Sequence, residues 1–200
     1  MDGGTHVALG RIGPNAITRL AEALTAAQGD DAARALFRAA GLEARLDAPP
    51  AQMVPEGEVT ALHQALRARL PHETAQAIAA DAGWRTGAYL LAHRIPRPMH
   101  WLLPRLPARW AARILLAAIG RHAWTFAGSG QFRVLPGFPI RFAISNGPLA
   151  HGAFGAHPVC AYYAATFEAL FRALVHPRTQ VIELACEATG ATACVFEARW

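Results

Sequence analysis

The sequence predicts an α+β fold in which N-terminal helices precede antiparallel strands. Apolar residues recur at helical spacing through the first 120 residues, and the period then switches to two. No strand–helix–strand alternation and no internal repeat occurs. A chain of 200 residues fits one domain. We expect 1–120 to be its mainly helical part and 121–200 to form a hairpin, a helix and a second hairpin, with helices covering one sheet face.

Five helices and an irregular connector are predicted in the helical part. Pro14 suits the first turn of the first helix, and Gly41 suits the position just after the second. Four prolines between Ile95 and Pro107 predict a connector without regular structure. The helices are predicted at 14–24, 30–40, 56–70, 72–93 and 108–120, with a Pro49-Pro50 linker after the second.

Two hairpins and one helix are predicted in the remainder. Residues 131–135 and 140–145 alternate around a Pro136-Gly137 turn, which places Ile140, Phe142 and Ile144 on one face. A helical face follows within 159–175. The strands 181–187 and 193–199 flank a tight connection at 188–191.

The composition indicates a folded chain. It is 53% hydrophobic and 16% charged, which excludes disordered and collagen-like classes. The first 17 residues lack the apolar core of a signal peptide, and the longest strongly apolar run, 114–119, is too short to span a membrane. We therefore expect a cytoplasmic protein.

The positive charge is concentrated in the middle of the chain. All 19 basic residues are arginine, which the alanine-rich composition explains as an effect of a GC-rich genome. Residues 1–81, 82–167 and 168–200 carry net charges of −3, +9 and −1, and the middle segment has no acidic residue. Such a segment is a candidate surface for an anionic partner. No nucleic-acid-binding motif accompanies the charge, so we expect no nucleic-acid partner.

Three cysteines near the C-terminus are candidate metal ligands. If the last hairpin has the three-residue loop 189–191, Cys186 faces Cys194 across the ladder. Cys160, on the apolar face of the preceding helix, then joins them. Three thiolates form part of a tetrahedral zinc site, which a histidine such as His157 completes. The alternative is that three small side chains simply pack in the core.

The C-terminal segment resembles the 4-vinyl reductase domain family. The resemblance rests on an E-x2-C-x3-G-x3-C-x-F pattern from Glu183 to Phe196. Segments 10–17, 93–98 and 122–130 are similar to a stand-alone member from bacteriochlorophyll biosynthesis. The family implies a ligand-binding fold shared with haem-based nitric-oxide sensors and Golgi-transport subunits, and cysteines that ligate a metal. Alanines 164, 165 and 169 stand where we expect family glycines, which argues against close backbone approach at that helix.

The resemblance implies a part in reducing the ring-B vinyl group of a divinyl Mg-tetrapyrrole to ethyl. Side chains cannot supply the electrons for that reaction. No G-x-G-x-x-G pattern follows a strand, and three cysteines are one short of an all-cysteine iron–sulfur cluster. The reductant is therefore expected to be external, and no catalytic residue is assigned. The alternative is a non-catalytic tetrapyrrole carrier or assembly factor that supports other pigment-synthesis enzymes.

The middle segment offers residues suited to a tetrapyrrole. Aromatic rings contact the macrocycle, guanidinium groups pair with its carboxylates, and imidazole ligates magnesium. If Arg105, Arg109 and Arg113 are all helical, they form one stripe. The alternatives are a solvated helix face with core tryptophans, or peripheral contact with an anionic membrane. The candidate ligand-binding residues are Arg94, Arg97, Trp101, Arg105, Arg109, Arg113, His122 and Trp124.

The glycine-rich segment 147–158 precedes a predicted helix. Backbone amides at a helix N-terminus can receive an anion. The alternative is a flexible connection between hairpin and helix.

Overall fold

A computed structural model of the chain describes residues 10–200. Residues 1–9, part of the start that lacks a signal-peptide core, lie outside the described residues. The helices are α1 (Asn15–Gln28), α2 (Asp30–Ala39), α3 (Ala44–Asp47), α4 (Glu56–Arg69), α5 (His72–His93), α6 (Arg97–Leu102), α7 (Ala108–Arg121), α8 (Trp124–Ala127) and α9 (Ala161–Leu174). The strands are β1 (Arg11–Ile12), β2 (Val54–Pro55), β3 (Gln131–Leu135), β4 (Ile140–Ser145), β5 (Gln180–Ala185) and β6 (Cys194–Arg199).

The predicted α+β class is confirmed. Strands β3 to β6 form one antiparallel sheet in the order β3-β4-β6-β5, and β1 and β2 form a separate two-stranded pair. The face of β4 that carries Ile140, Phe142 and Ile144 is buried, as the alternation predicts. Helix α9 covers this face, with the Phe142 and Phe167 ring centroids 4.6 Å apart. One buried core extends from Ile12 to Ala198, while the division of the chain at residue 120 stays a prediction.

Helix α5 lies between α1 and α9 and approaches α9 closely. A methyl group added at Gly83 would lie 2.3 Å from the Tyr162 carbonyl oxygen, and one at Gly87 would lie 2.4 Å from the Ala169 Cβ. The expectation drawn from the alanines of α9 is therefore wrong. The backbones do approach, because the glycines that allow it lie on α5 instead.

The predicted irregular connector at 95–107 is also wrong. It contains α6 and a 3-10 turn at Leu103–Arg105. Pro98 occupies the first turn of α6, where a backbone N–H has no partner within the helix, so the proline does not break it. The short helices α3 and α8 and the β1–β2 pair carry too few residues to show a period, and the sequence did not predict them.

The last hairpin differs from the predicted three-residue loop. Strand β5 ends at Ala185 and β6 begins at Cys194, with a 3-10 turn at Glu187–Thr189 between them. The register shifts by one residue between Glu183 and Ala185, after which Ala185 pairs with Val195. This bulge restores the alignment that brings Cys186 beside Cys194, so the predicted proximity is right although the predicted loop is not.

Among residues 10–200, no helix combines the length and the apolar character needed to cross a lipid bilayer. The expected cytoplasmic location stays a prediction.

Candidate functional site

The three cysteines meet at one buried point beneath the sheet. The Cys160 Sγ lies 3.4 Å from the Cys194 Sγ, and the Cys186 Sγ lies 3.6 Å from it. All three are free thiols and at most 2% exposed. Cys160 caps the N-terminus of α9 rather than lying within the helix, whereas Cys186 and Cys194 leave and enter the last hairpin.

A carboxylate is the fourth member of this group, which we call the Cys3Glu cluster. Donor atoms of Cys160, Glu183, Cys186 and Cys194 all lie within 4.8 Å of one another. The Cys160 backbone N–H donates to Glu183 Oε2 at 3.0 Å, while the buried Oε1 has no hydrogen-bond partner among the described residues. His157 is not the fourth member, since it is exposed and its ring lies 4.6 Å from that of His72. Glu183 belongs to the motif, and its spacing to Cys186 was the available signal.

The electrostatics of the cluster favour partial protonation when no cation is bound. Hydrogen bonding to Cys186 and Cys194, together with burial, raises the pKa of the Cys160 thiol well above its ordinary value. Hydrogen bonds from Cys160 and Cys194 lower the pKa of Cys186. Burial and the negative charge on Cys186 raise the pKa of Glu183 to about 8. The cluster therefore concentrates negative charge away from water, an arrangement that a bound cation stabilises.

The cluster fits a structural zinc ion. Zinc prefers thiolate with carboxylate or imidazole in a tetrahedral set, and a zinc–sulfur bond of about 2.3 Å places tetrahedral ligands about 3.8 Å apart. The two measured sulfur–sulfur distances are close to that value. The orphaned Glu183 Oε1 supplies a further acceptor. Because the chain provides four donors, the set corresponds to closed structural sites rather than to catalytic ones with an open position.

The candidate ligand-binding residues of the middle segment are all exposed. They lie on α6, the neighbouring 3-10 turn, α7 and α8, which contact one another or β3, and at the end of α5. Trp101 is 63% exposed and Trp124 58% exposed, so the alternative of core tryptophans is wrong for both. We call this set the Arg/Trp surface: Arg94, Arg97, Trp101, Arg105, Arg109, Arg113, His122 and Trp124.

The arginines of the Arg/Trp surface have no acidic partner. Among residues 10–200, none of its five arginines forms an ion pair. The Arg105 guanidinium lies 4.2 Å from the centre of the Trp101 ring, and that of Arg109 lies 4.2 Å from the Phe138 ring. Both guanidinium groups are therefore held on aromatic faces while their charge stays uncompensated.

The predicted arginine stripe is only partly right. Arg105 belongs to the 3-10 turn before Pro107, and only Arg109 and Arg113 share α7. Proline fixes the chain direction between the two segments, so the spacing of four does not continue across it. The His122 Nδ1 lies 2.9 Å from the Ala118 carbonyl oxygen, which leaves its Nε2 without a partner among the described residues.

The glycine-rich segment is held in place by α4. Side chains of Thr60, Gln64 and Arg67 donate to the carbonyl oxygens of residues 148, 151 and 149. This anchoring does not match the flexible connection that the sequence left open. The N-terminus of α9 receives the Glu183 carboxylate, so an internal anion already occupies the predicted anion position.

Comparison with known proteins places the chain among its relatives. The family model of the 4-vinyl reductase domain matches residues 140–199, which contain the whole Cys3Glu cluster. The chain is 46% identical over 187 residues to the bacteriochlorophyll synthase 23 kDa chain of Cereibacter sphaeroides, covering 94% of this chain and 89% of that protein. It is 40% identical over 186 residues to the protein of the same name from Rhodobacter capsulatus, covering 93% and 85%. The chain therefore belongs to the same family as these 23 kDa chains, and its C-terminal part is a 4-vinyl reductase domain.

Proposed function

We propose that this protein acts in bacteriochlorophyll biosynthesis, where it binds a divinyl Mg-tetrapyrrole and takes part in reducing the ring-B vinyl group to ethyl. The names of the two relatives and the 4-vinyl reductase domain support the pathway. The single observation that carries ligand binding is the Arg/Trp surface, where exposed aromatic rings lie beside arginines without ion pairs. An anionic, flat, aromatic ligand complements both features.

The residues have distinct roles in this proposal. Trp101 and Trp124 contact the faces of the macrocycle, and Arg105 and Arg109 pair with its carboxylates. His122 offers a free Nε2 as an axial ligand to magnesium. The reduction adds two electrons and two protons to the vinyl carbon–carbon bond, and both electrons come from an external reductant.

The Cys3Glu cluster has a structural role in the proposal. Cys160, Glu183, Cys186 and Cys194 would hold zinc and so join the start of α9 to the last hairpin. This joint fixes α9 on the sheet and, through the close α5–α9 contact, the helices that lead to the Arg/Trp surface.

Titration with divinyl protochlorophyllide tests the binding proposal. We expect a saturable shift of the pigment absorbance bands, and about tenfold weaker binding in the double variant Arg105→Gln/Arg109→Gln. Arg178→Gln is the matched control, since Arg178 is exposed but lies outside the surface. A pigment spectrum that does not change, or equal weakening by the control, would reject the proposed surface.

A non-catalytic carrier that collects pigment at a membrane is the second candidate function. The exposed face of α7 favours it, because Trp110 (62% exposed) and Ile114 (42% exposed) lie beside Arg109 and Arg113. Apolar side chains flanked by arginine are typical of helices that rest on anionic lipid. Flotation with vesicles of phosphatidylcholine alone or with added phosphatidylglycerol tests membrane contact; binding to neither vesicle type would reject it.

Gene deletion separates the two functions. Complete loss of monovinyl pigment supports a part in the reduction itself. Reduced pigment flux with normal vinyl reduction supports the carrier. Supplying the purified protein with divinyl substrate and NADPH alone then tells whether it makes monovinyl product without another protein.

A further inference from the structure

A small cavity lies beside the segment that leads into Cys160, and no function described above uses it. It has a volume of about 180 Å³ and is enclosed by α4, the first turns of α5 and the segment 154–159. Sites for drug-sized ligands usually measure roughly 300–1,000 Å³. The cavity therefore suits a small ion or a single side arm, and it is too small for a macrocycle.

Two groups that line this cavity lack the partners that buried polar atoms require. Arg67 donates from Nη1 to the Leu149 carbonyl oxygen at 3.1 Å, but its buried Nη2 has no acceptor among the described residues. His63, one helical turn earlier on the same face of α4, is 1% exposed, and its buried Nε2 is also unpartnered. Buried polar atoms are nearly always hydrogen-bonded, so two adjacent orphans in one cavity indicate a missing partner.

The remaining lining defines the charge of that partner. No carboxylate lines the cavity, and its other polar side chains are His72, Gln76 and His157. The Gln76 amide N–H group is already used, since it donates to the Pro158 carbonyl oxygen. The first turn of the 22-residue helix α5 adds the positive end of a helix dipole. A fixed positive charge, a helix N-terminus and unpartnered nitrogens together favour an anion.

The thiols do not already fill this role. Cys160 and Cys186 lie near enough to Arg67 for their charge to act on it, yet neither sulfur accepts a hydrogen bond from its guanidinium. Burial and the charge on Arg67 lower the pKa of His63 to about 3, so its ring is neutral. In the Nε2–H form, a neutral imidazole donates a hydrogen bond beside the guanidinium.

We infer that the cavity lined by His63 and Arg67 binds a small oxyanion of carboxylate or phosphate type, held by the Arg67 guanidinium. Guanidinium and carboxylate or phosphate groups match in geometry and charge, and the pairing is strong where water is partly excluded. The site is separate from the Arg/Trp surface, since no residue of that surface lines it. The inference therefore does not depend on the proposed function.

Calorimetric titration of the full chain with acetate, propionate and inorganic phosphate in a low-chloride buffer tests the inference. We expect saturable one-site binding of at least one probe and about tenfold weaker binding in Arg67→Gln. Arg69→Gln is the matched control, because Arg69 is exposed on the same helix and does not line the cavity. Lack of saturable binding by the unmodified protein, or equal weakening by Arg69→Gln, would overturn the inference.

A second variant guards against an indirect effect of removing Arg67. Ala156 is exposed and lines the cavity, so Ala156→Phe narrows the cavity while all charges remain. We expect it to weaken anion binding by a similar factor without lowering the melting temperature, and unchanged affinity would contradict the proposed location.

Competition identifies the source of the anion. Displacement of bound propionate by divinyl protochlorophyllide supports the site as a receptor for a pigment carboxylate. Anion binding that pigment does not displace supports a free ion. If the pigment does not bind at all, the proposed function fails while the anion site stands.

Discussion

The Cys3Glu cluster and the Arg/Trp surface both concentrate charged or ionisable groups of one kind, but in opposite environments. The cluster is buried, its donor atoms lie within 4.8 Å of one another, and the sheet and α9 fix their positions. The Arg/Trp surface is exposed and spread over several short elements. Water solvates uncompensated charge on a surface at little cost, whereas buried charge needs a partner. The cluster should therefore control stability, and the surface should control recognition.

The largest expected effect comes from breaking the cluster with Cys194→Ser, because the Cys194 sulfur lies next to both other thiols. We expect loss of bound zinc and a decrease in the free energy of unfolding of about 3 kcal/mol or more. Metal analysis and urea unfolding measure both, with exposed Thr192→Ser as control. An unmodified protein carrying less than about a tenth of an equivalent of zinc would remove the zinc proposal.

A comparable loss is expected where α5 meets α9. In Gly83→Ala the new methyl would lie 2.3 Å from the Tyr162 carbonyl oxygen, which is backbone and cannot move aside alone. We expect a destabilisation of about 3 kcal/mol. Gly57→Ala, also helical but with open space around it, should stabilise the protein by up to about 1 kcal/mol. Denaturant unfolding of both variants measures the difference, and similar midpoints would show that the helices separate readily.

An intermediate effect is expected from pH, through buried His63. Its pKa is about 3 in the folded protein and about 6.5 in an unfolded chain. Between these values the unfolded state binds a proton that the folded state does not, so stability is lost as the pH falls. In a buffer without carboxylate or phosphate, the His63 contribution is about 1.4 kcal/mol per pH unit between about 6.5 and 3.

Urea unfolding at several pH values isolates this contribution. His63→Gln should show a weaker pH dependence than the unmodified protein, because other titrating groups contribute equally to both. Exposed His122→Gln should retain the original dependence. Equal slopes for all three proteins would contradict the assignment to His63.

The smallest effect on stability is expected at the Arg/Trp surface. Arg113→Gln and Trp124→Ala should change the free energy of unfolding by no more than about 0.5 kcal/mol, because both side chains are exposed. Pigment affinity should nevertheless fall, and raising the salt concentration from about 0.05 to about 0.5 M should weaken it further by screening. Zinc content should not respond to salt. A large stability loss in either variant would erase the distinction between the two regions.

Periodicity in the sequence determined the long elements. The spacing of apolar residues places α4, α5, α7 and α9 close to their observed bounds, because a helix that buries one face must repeat with its own period. The β3–β4 hairpin follows from the same argument with period two. The E-x2-C-x3-G-x3-C-x-F pattern likewise pointed to the family and to the three cysteines.

Only the tertiary structure decided what those cysteines meet. A one-residue bulge in β5 and the capping position of Cys160 bring Glu183 into the cluster, and neither leaves a periodic signal. The glycines that admit α9 lie some 80 residues away on α5, and the unpartnered His63 and Arg67 become visible only once α4 packs against the segment 154–159. Local patterns determine which face of an element is buried, whereas contacts between distant segments decide its partners, because those contacts depend on how elements pack rather than on their own repeat.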